Sequence, residues 1–199
     1  MQRCFAKTWR LGYTGKYTAD YIAAELPINL KWAVAGRSHT KLAQLVEHCK
    51  TTNPDRRAPG KLCYVVLERD ILLPKRCSAN TTPSEIEICS LDSKELANLA
   101  RKTLILISTV GPYGAYGEHA FKACAENGTH YFDCTGEVPF VAKMITKYED
   151  AAKSTGAFMF PQIGIESAPP DLVTWSLASM NRSRFGVPTG HVTVAIKVK

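Results

Sequence analysis

The 199-residue chain has no run of about 18 apolar residues, so nothing in it reads as a span across a bilayer. Its start, "MQRCFAKTWRL", is basic but lacks an apolar core, which excludes a secretory signal and leaves a transit peptide open. The seven cysteines form no C-x-x-C pair and no zinc-like spacing with the five histidines. No metal is therefore expected, and the thiols read as reduced, several of them small hydrophobes inside apolar runs. None of the eight tyrosines has a lysine four positions on, which removes the Tyr-x-x-x-Lys pair of a short-chain dehydrogenase. A basic–aromatic stripe is also missing. Of the net charge of +7, residues 1–16 carry +4 and residues 60–84 carry +2, which leaves +1 for the rest. Nucleic acid is accordingly not an expected partner.

What is present is an alternation of helix and strand signals. "KYTADYIAAEL" is apolar at Tyr17, Ile22, Ala24 and Leu26 and stops at Pro27, as a helix does. "LKWAVAG" is a strand closed by glycine. "SHTKLAQLVEHCK" is a helix with Ser38 as its cap and Leu42, Leu45, Val46 and Cys49 on one face. "EIEICSL" is a strand, followed by the helix "DSKELANLARK", capped by Asp92 with Glu95 in the capping-box position. The strands "TLILISTV", "THYFDCT" and "AFMFPQIG" then alternate with the helices "GEHAFKACAENG", "VPFVAKMITKYEDAAKSTG" and "PPDLVTWSLASM". Continuous apolar strands between helices imply a parallel sheet covered on both faces. The expected fold is a doubly wound, Rossmann-like α/β domain over residues 9–165, with its first strand missing. "HVTVAIKV" alternates like a half-buried strand, so residues 166–199 read as the start of a truncated second α/β domain.

"WRLGYTGKYTADY" resembles the second half of a phosphate-binding turn with the helix behind it. In such a turn glycines let backbone amides approach a pyrophosphate, and the helix N-terminus adds partial positive charge. Gly12, Tyr13, Thr14 and Gly15 are the candidates, Thr14 offering a hydroxyl; a plain helix-entry turn would look the same. Trp9 stands where the first glycine belongs, and "RCFAKT" where a β-branched strand belongs. The second strand ends in "AVAGRS", where Arg37 and Ser38 fit the 2′-phosphate of NADP, or form a solvated strand end. Thr109, Val110 and Gly111, in "STVGPYGAYGE", fit the nicotinamide side, or form an ordinary loop. Asp133, Glu137, Glu166 and Asp171 fall on the same sheet edge. They suit acid–base work, or equally the capping of a helix (Asp171) and of loop amides (Glu137), so no catalytic residue is assigned.

"GYTGKYTADYIAAE", "WAVAGRSHTKL", "LILISTVGPYGAYGEHAFKACAENGTHYFDCTGE" and "GIESAPPDL" together resemble the saccharopine dehydrogenase-like oxidoreductases, also called the trans-acting enoyl reductase family. The resemblance covers roughly residues 11–58 and 85–199. It implies an NADP-binding Rossmann domain, an α/β domain completing the active site, and reduction of a small-molecule, lipid-like or acyl substrate. It implies a cytoplasmic location with peripheral association to membranes or lipid droplets left open, and leaves the oligomeric state open. The alternative is a non-catalytic, membrane- or lipid-droplet-associated module that keeps the fold.

Three departures from the family pattern stand out: the start "MQRCFAKTWR", the end at Lys199, and the stretch over residues 59–84, which has no turn logic. These imply a mis-assigned first exon and a translated intron. A missing central strand and Trp9 in a glycine's place imply weakened NADP binding. Sequencing of the transcript is expected to show a dominant spliced message without the codons for residues 59–84; their presence there would refute the intron reading.

Overall fold

The computed structural model describes residues 4–7, 13–27, 30, 32–52 and 86–195. In chain order these form β1 (Cys4–Lys7), α1 (Tyr13–Glu25), β2 (Trp32–Gly36), α2 (His39–Thr52), β3 (Ile86–Ile88), α3 (Ser93–Arg101), β4 (Ile105–Ser108), α4 (Tyr113–Tyr116), α5 (Glu118–Asn127), β5 (His130–Asp133), α6 (Val138–Thr155), β6 (Met159–Phe160) and α7 (Ala168–Phe185). The six strands make one sheet in the order β3-β2-β1-β4-β5-β6, all pairs parallel. This is the doubly wound order.

One expectation is corrected. The first strand is not missing: Cys4–Lys7 lies in the middle of the sheet, with Phe5 in register with Ala33 on one side and Leu106 on the other. The sheet therefore begins before residue 9. Four residues with no β-branched side chain give a weak local strand signal, but two ready neighbours supply ladder partners on both edges. The insert at residues 59–84 and Trp9 lie outside the described residues.

Each face of the sheet carries its own core. Trp32 and Val34 of β2 pack with Ala19, Ile22 and Ala23 of α1 and Leu42, Leu45, Val46 and Cys49 of α2. Ala33 and Ala35, pointing the other way, join Leu106, Tyr131 and the inner faces of α3, α5 and α6. The α2 face is the expected one; on α1, Tyr17 and Ala24 are exposed and Ala19 and Ala23 take the buried positions instead. α3 is capped by Asp92, whose carboxylate accepts the amides of Lys94 and Glu95 at 2.8 and 3.3 Å. Glu95 reaches back to the amide of Ser90.

α7 runs to Phe185, beyond the expected "PPDLVTWSLASM", and none of its residues is buried. The alternating stretch after it forms no strand over residues 191–195; the rest of it lies outside the described residues. A strand needs a neighbour's ladder groups, and no described segment pairs with this one. No helix among the described residues is long and apolar enough to cross a membrane.

α5 and α6 are joined at the surface by Glu118, which accepts from Lys147 at 2.7 Å, Lys143 at 2.9 Å and the Tyr148 hydroxyl at 3.0 Å. The two lysines, Lys147 foremost, hold its carboxyl down at about 2. A carboxyl lowered in the folded state stabilises above its unfolded pKa, and that contribution is lost as pH falls through the folded value. Glu118→Gln should thus cost about 1 kcal/mol at neutral pH, since exposed pairs contribute 0.2–1 kcal/mol each. The cost should shrink as pH falls from the ordinary carboxylate range toward 2, which urea titrations across that window would measure.

Candidate functional site

In a parallel sheet every strand's carboxyl end reaches the same edge, so the candidate residues gather there by topology. The segment between β1 and α1 leaves the central strand; the loops after β2 and β4 flank it. Gly12 lies outside the described residues. Tyr13 opens α1, Thr14 follows it exposed, and Gly15 is buried in the first turn. A buried glycine there lets the helix start sit close to the sheet edge.

Arg37 and Ser38 follow β2 directly and are exposed. Gly36 before them is held by the Cys89 amide, which donates to its carbonyl at 3.0 Å, and the Leu42 amide donates to the Ser38 carbonyl at 3.1 Å. The backbone that carries both side chains is thereby fixed at its two ends.

After β4 the chain passes through Thr109, half-buried, Val110, buried, and Gly111, exposed, then a cis Gly111–Pro112 bond into the short helix α4. Both expectations for this stretch, a nicotinamide-side turn or an ordinary loop, leave out the short helix α4 that the structure shows. Tyr113 is buried; its hydroxyl donates to the Ser108 carbonyl at 2.9 Å and lies 3.4 Å from Cys134 Sγ. Burial, and then Cys134 beside it, push the phenol well up, so it stays a protonated donor. Phe140 packs on the Tyr113 ring at 6.0 Å, and a Cβ on Gly117 would come within 2.8 Å of Phe140, which is why the α4–α5 joint is glycine.

The end of β5 holds the polar centre of the edge. Asp133 is 2% exposed; its Oδ1 accepts the amides of Gln162 at 2.9 Å and Thr135 at 3.0 Å, and its Oδ2 accepts the Tyr131 hydroxyl at 2.8 Å. Burial raises its carboxyl while these three donors oppose the rise. Gln162 adopts φ 59°, a costly conformation for a non-glycine residue, and its amide is tied down by Asp133. Glu137 accepts the amides of Tyr113 at 2.6 Å and Gly114 at 2.8 Å. Of the two roles open to these carboxylates, Asp133 and Glu137 hold loop amides. Glu166 and Asp171 are exposed, and Asp171 sits in the first turn of α7, where an acid suits the helix dipole. Tyr113, Cys134 and Gln162 were not singled out in the sequence; only their contacts across the fold mark them.

Strand order, the buried glycine at the start of α1 and the arginine after β2 define a dinucleotide-binding domain of the doubly wound class. The model of the saccharopine dehydrogenase NADP-binding domain matches residues 11–159, and the chain belongs to that family. Its cofactor is NADP, and the residues present fit it: an arginine, not an acid, closes β2. The chain is similar to the rat saccharopine dehydrogenase-like oxidoreductase, 33% identical over 177 residues, covering 85% of this chain and 36% of that protein. A Caenorhabditis elegans lipid droplet localized protein is 32% identical over 162 residues, covering 81% of this chain and 33% of that one. A Mycobacterium tuberculosis protein provisionally named a trans-acting enoyl reductase is 32% identical over 166 residues, covering 83% and 33%. Among solved structures, the apo saccharopine dehydrogenase (L-Glu forming) of Saccharomyces cerevisiae shares the fold at a TM-score of 0.63, with 12% identity, over 92% of this chain and 32% of that one. The chain thus spans about a third of the length of the relatives it matches.

Asp133→Ala should destabilise the domain by about 3 kcal/mol, because it strands two amides and a buried hydroxyl at about 1–3 kcal/mol for each group left unpaired. Asp133→Asn keeps an oxygen for the amides and should cost about 1 kcal/mol. Urea midpoints of the two variants check the order; equal costs would refute the acceptor role.

Proposed function

We propose that this chain carries the nucleotide-binding part of an NADP-dependent reductase acting on a lipid-like or acyl substrate. The observation that carries the reading is Arg37 with Ser38 at the carboxyl end of β2, beside the central strand. In this reading Gly12, Tyr13, Thr14 and Gly15 hold the pyrophosphate, with the start of α1 supplying amides and partial positive charge. Arg37 makes charge-assisted hydrogen bonds to the 2′-phosphate and Ser38 adds a hydroxyl. Thr109, Val110 and Gly111 line the nicotinamide side. NADPH, when bound, would supply a hydride, and these residues would hold and orient it. No side chain here is assigned the proton transfer.

The lipid-like substrate class is supported by the names of the mycobacterial and worm relatives. It is also supported by the apolar side chains exposed beyond β5, among them Phe158, Ile163, Ile165 and Trp175. Residues 166–199 belong, in this reading, to a second α/β domain, since a helix that buries none of its many apolar residues needs further cover. A second reading, a lipid-droplet- or membrane-associated module without catalysis, draws on the worm relative's name and the same exposed residues. In both readings the chain acts in the cytoplasm.

Thermal unfolding with NADPH and with NADH tests the proposal. NADPH should raise the midpoint, by the equivalent of about 2.7 kcal/mol at a hundredfold excess over its Kd, and NADH should raise it far less. Arg37→Ala should erase the difference. Equal shifts with the two nucleotides would overturn the role of Arg37. A folded chain that shifts with neither would overturn cofactor binding by this chain.

A further inference from the structure

Glu137 spans two loops on the side of the sheet edge where the nicotinamide half of the cofactor is placed. Its carboxylate takes one backbone donor on each oxygen: the Tyr113 amide on Oε1 at 2.6 Å and the Gly114 amide on Oε2 at 2.8 Å. Two donors on two oxygens fix the carboxylate in rotation as well as position. These amides are the kind that a helix start leaves without an intrahelical partner, and here an internal anion satisfies them.

The support behind Glu137 is continuous. Its own amide donates to Thr135 Oγ1 at 3.0 Å, the Thr135 amide donates to Asp133 Oδ1 at 3.0 Å, and Asp133 is buried at the end of β5. From the other side Gly114 is close enough that a Cβ on it would stand 2.9 Å from Glu137 Oε2. Thr109, Val110 and Gly111 are anchored at their β4 end by the sheet and by the Tyr113 hydroxyl on the Ser108 carbonyl. At the other end they are anchored by Glu137, so its carboxylate sets where this loop lies.

We infer that Glu137 is a positioning residue for the nicotinamide-side loop. It contributes to binding the nicotinamide half of NADP through Thr109–Gly111 and leaves the adenosine 2′-phosphate half untouched. This rests on the cofactor reading above. The chemistry asked of Glu137 is that of an acceptor pair, so glutamine, which keeps its length but only one acceptor oxygen, should release one of the two amides.

The test is the affinity of the full chain for two probes, NADPH and adenosine 2′,5′-bisphosphate, which lacks the nicotinamide half. Glu137→Gln should weaken NADPH about tenfold, in keeping with the loss of a charge-assisted hydrogen bond, and should leave the bisphosphate within about twofold. Gly114→Ala approaches the same clasp from the opposite side and should give the same selective loss; it carries the test if the first variant does not fold. Retained affinity for both probes would overturn the inference. So would an equal loss for both, which is the mark of a general structural role. A wild-type chain that binds neither probe would overturn the cofactor reading itself, and the inference with it.

Discussion

The sheet depends on four residues. Among the described residues, β1 is the element that hydrogen-bonds to both halves: β2 and β3 lie on one side of it, β4, β5 and β6 on the other. Remove it and two short parallel sheets remain, each with an open edge and half a core. The helices show the same dependence, since α1 and α2 cover Trp32 and Val34 while α3, α5 and α6 reach Ala33, Ala35 and Leu106 from the opposite face. β1 aligns β2 with β4 so that both cores close over one continuous surface. A segment of such weak local strand character can do this because its place, not its composition, supplies the bonding partners.

The polar groups at the carboxyl edge do a second kind of alignment. Asp133 is buried, and its three donors offset the cost of taking its carboxyl out of water. In return it gathers the loop after β6 through Gln162 and the start of the β5–α6 loop through Thr135. The Ile163 amide adds a bond to the Asp133 carbonyl at 3.0 Å, and Gly164 packs against Cys134 so closely that a Cβ would lie 3.3 Å from its carbonyl oxygen. Two loops that would otherwise be independent thus share one anchor.

Legibility in the sequence followed signal strength. The buried face of α2 was readable to the residue, because Leu42, Leu45, Val46 and Cys49 repeat at helical spacing among polar neighbours, although the helix runs on to Thr52. α1 was readable as a helix but not in its face. Ile22 is buried as its spacing implies, but alanines carry little hydropathy, and Tyr17, which looked like core, stands in solvent at 55% exposure. α4 was hidden behind a Gly-Pro-Tyr-Gly run that has the composition of a turn. The place of Arg37 just after β2 was legible because a strand end names its own edge. Glu137 was legible only as an acceptor without a partner, for the amides it holds are 23 and 24 residues away. A contact at that range is made by the fold, and no local pattern announces it.

The order of the strands also says where a ligand crevice belongs, at the switch point between β1 and β4. The chain leaves β1 for α1, which packs on the face shared with α2, and leaves β4 for α4 and α5, which pack on the opposite face. β1 and β4 are neighbours, and the helices that follow them in the chain, α1 on one side and α4 and α5 on the other, pack on opposite faces of the sheet. A gap between them is a consequence of connectivity alone. What connectivity does not supply is the exact height of either wall. On the β1 side that falls to the glycine buried in the first turn of α1; on the β4 side it falls to the loop that follows Ser108. The Tyr113 hydroxyl and the Glu137 carboxylate hold that loop from beneath and from the flank. The wall is therefore built from the β5 end of the sheet, two strands from the turn it faces.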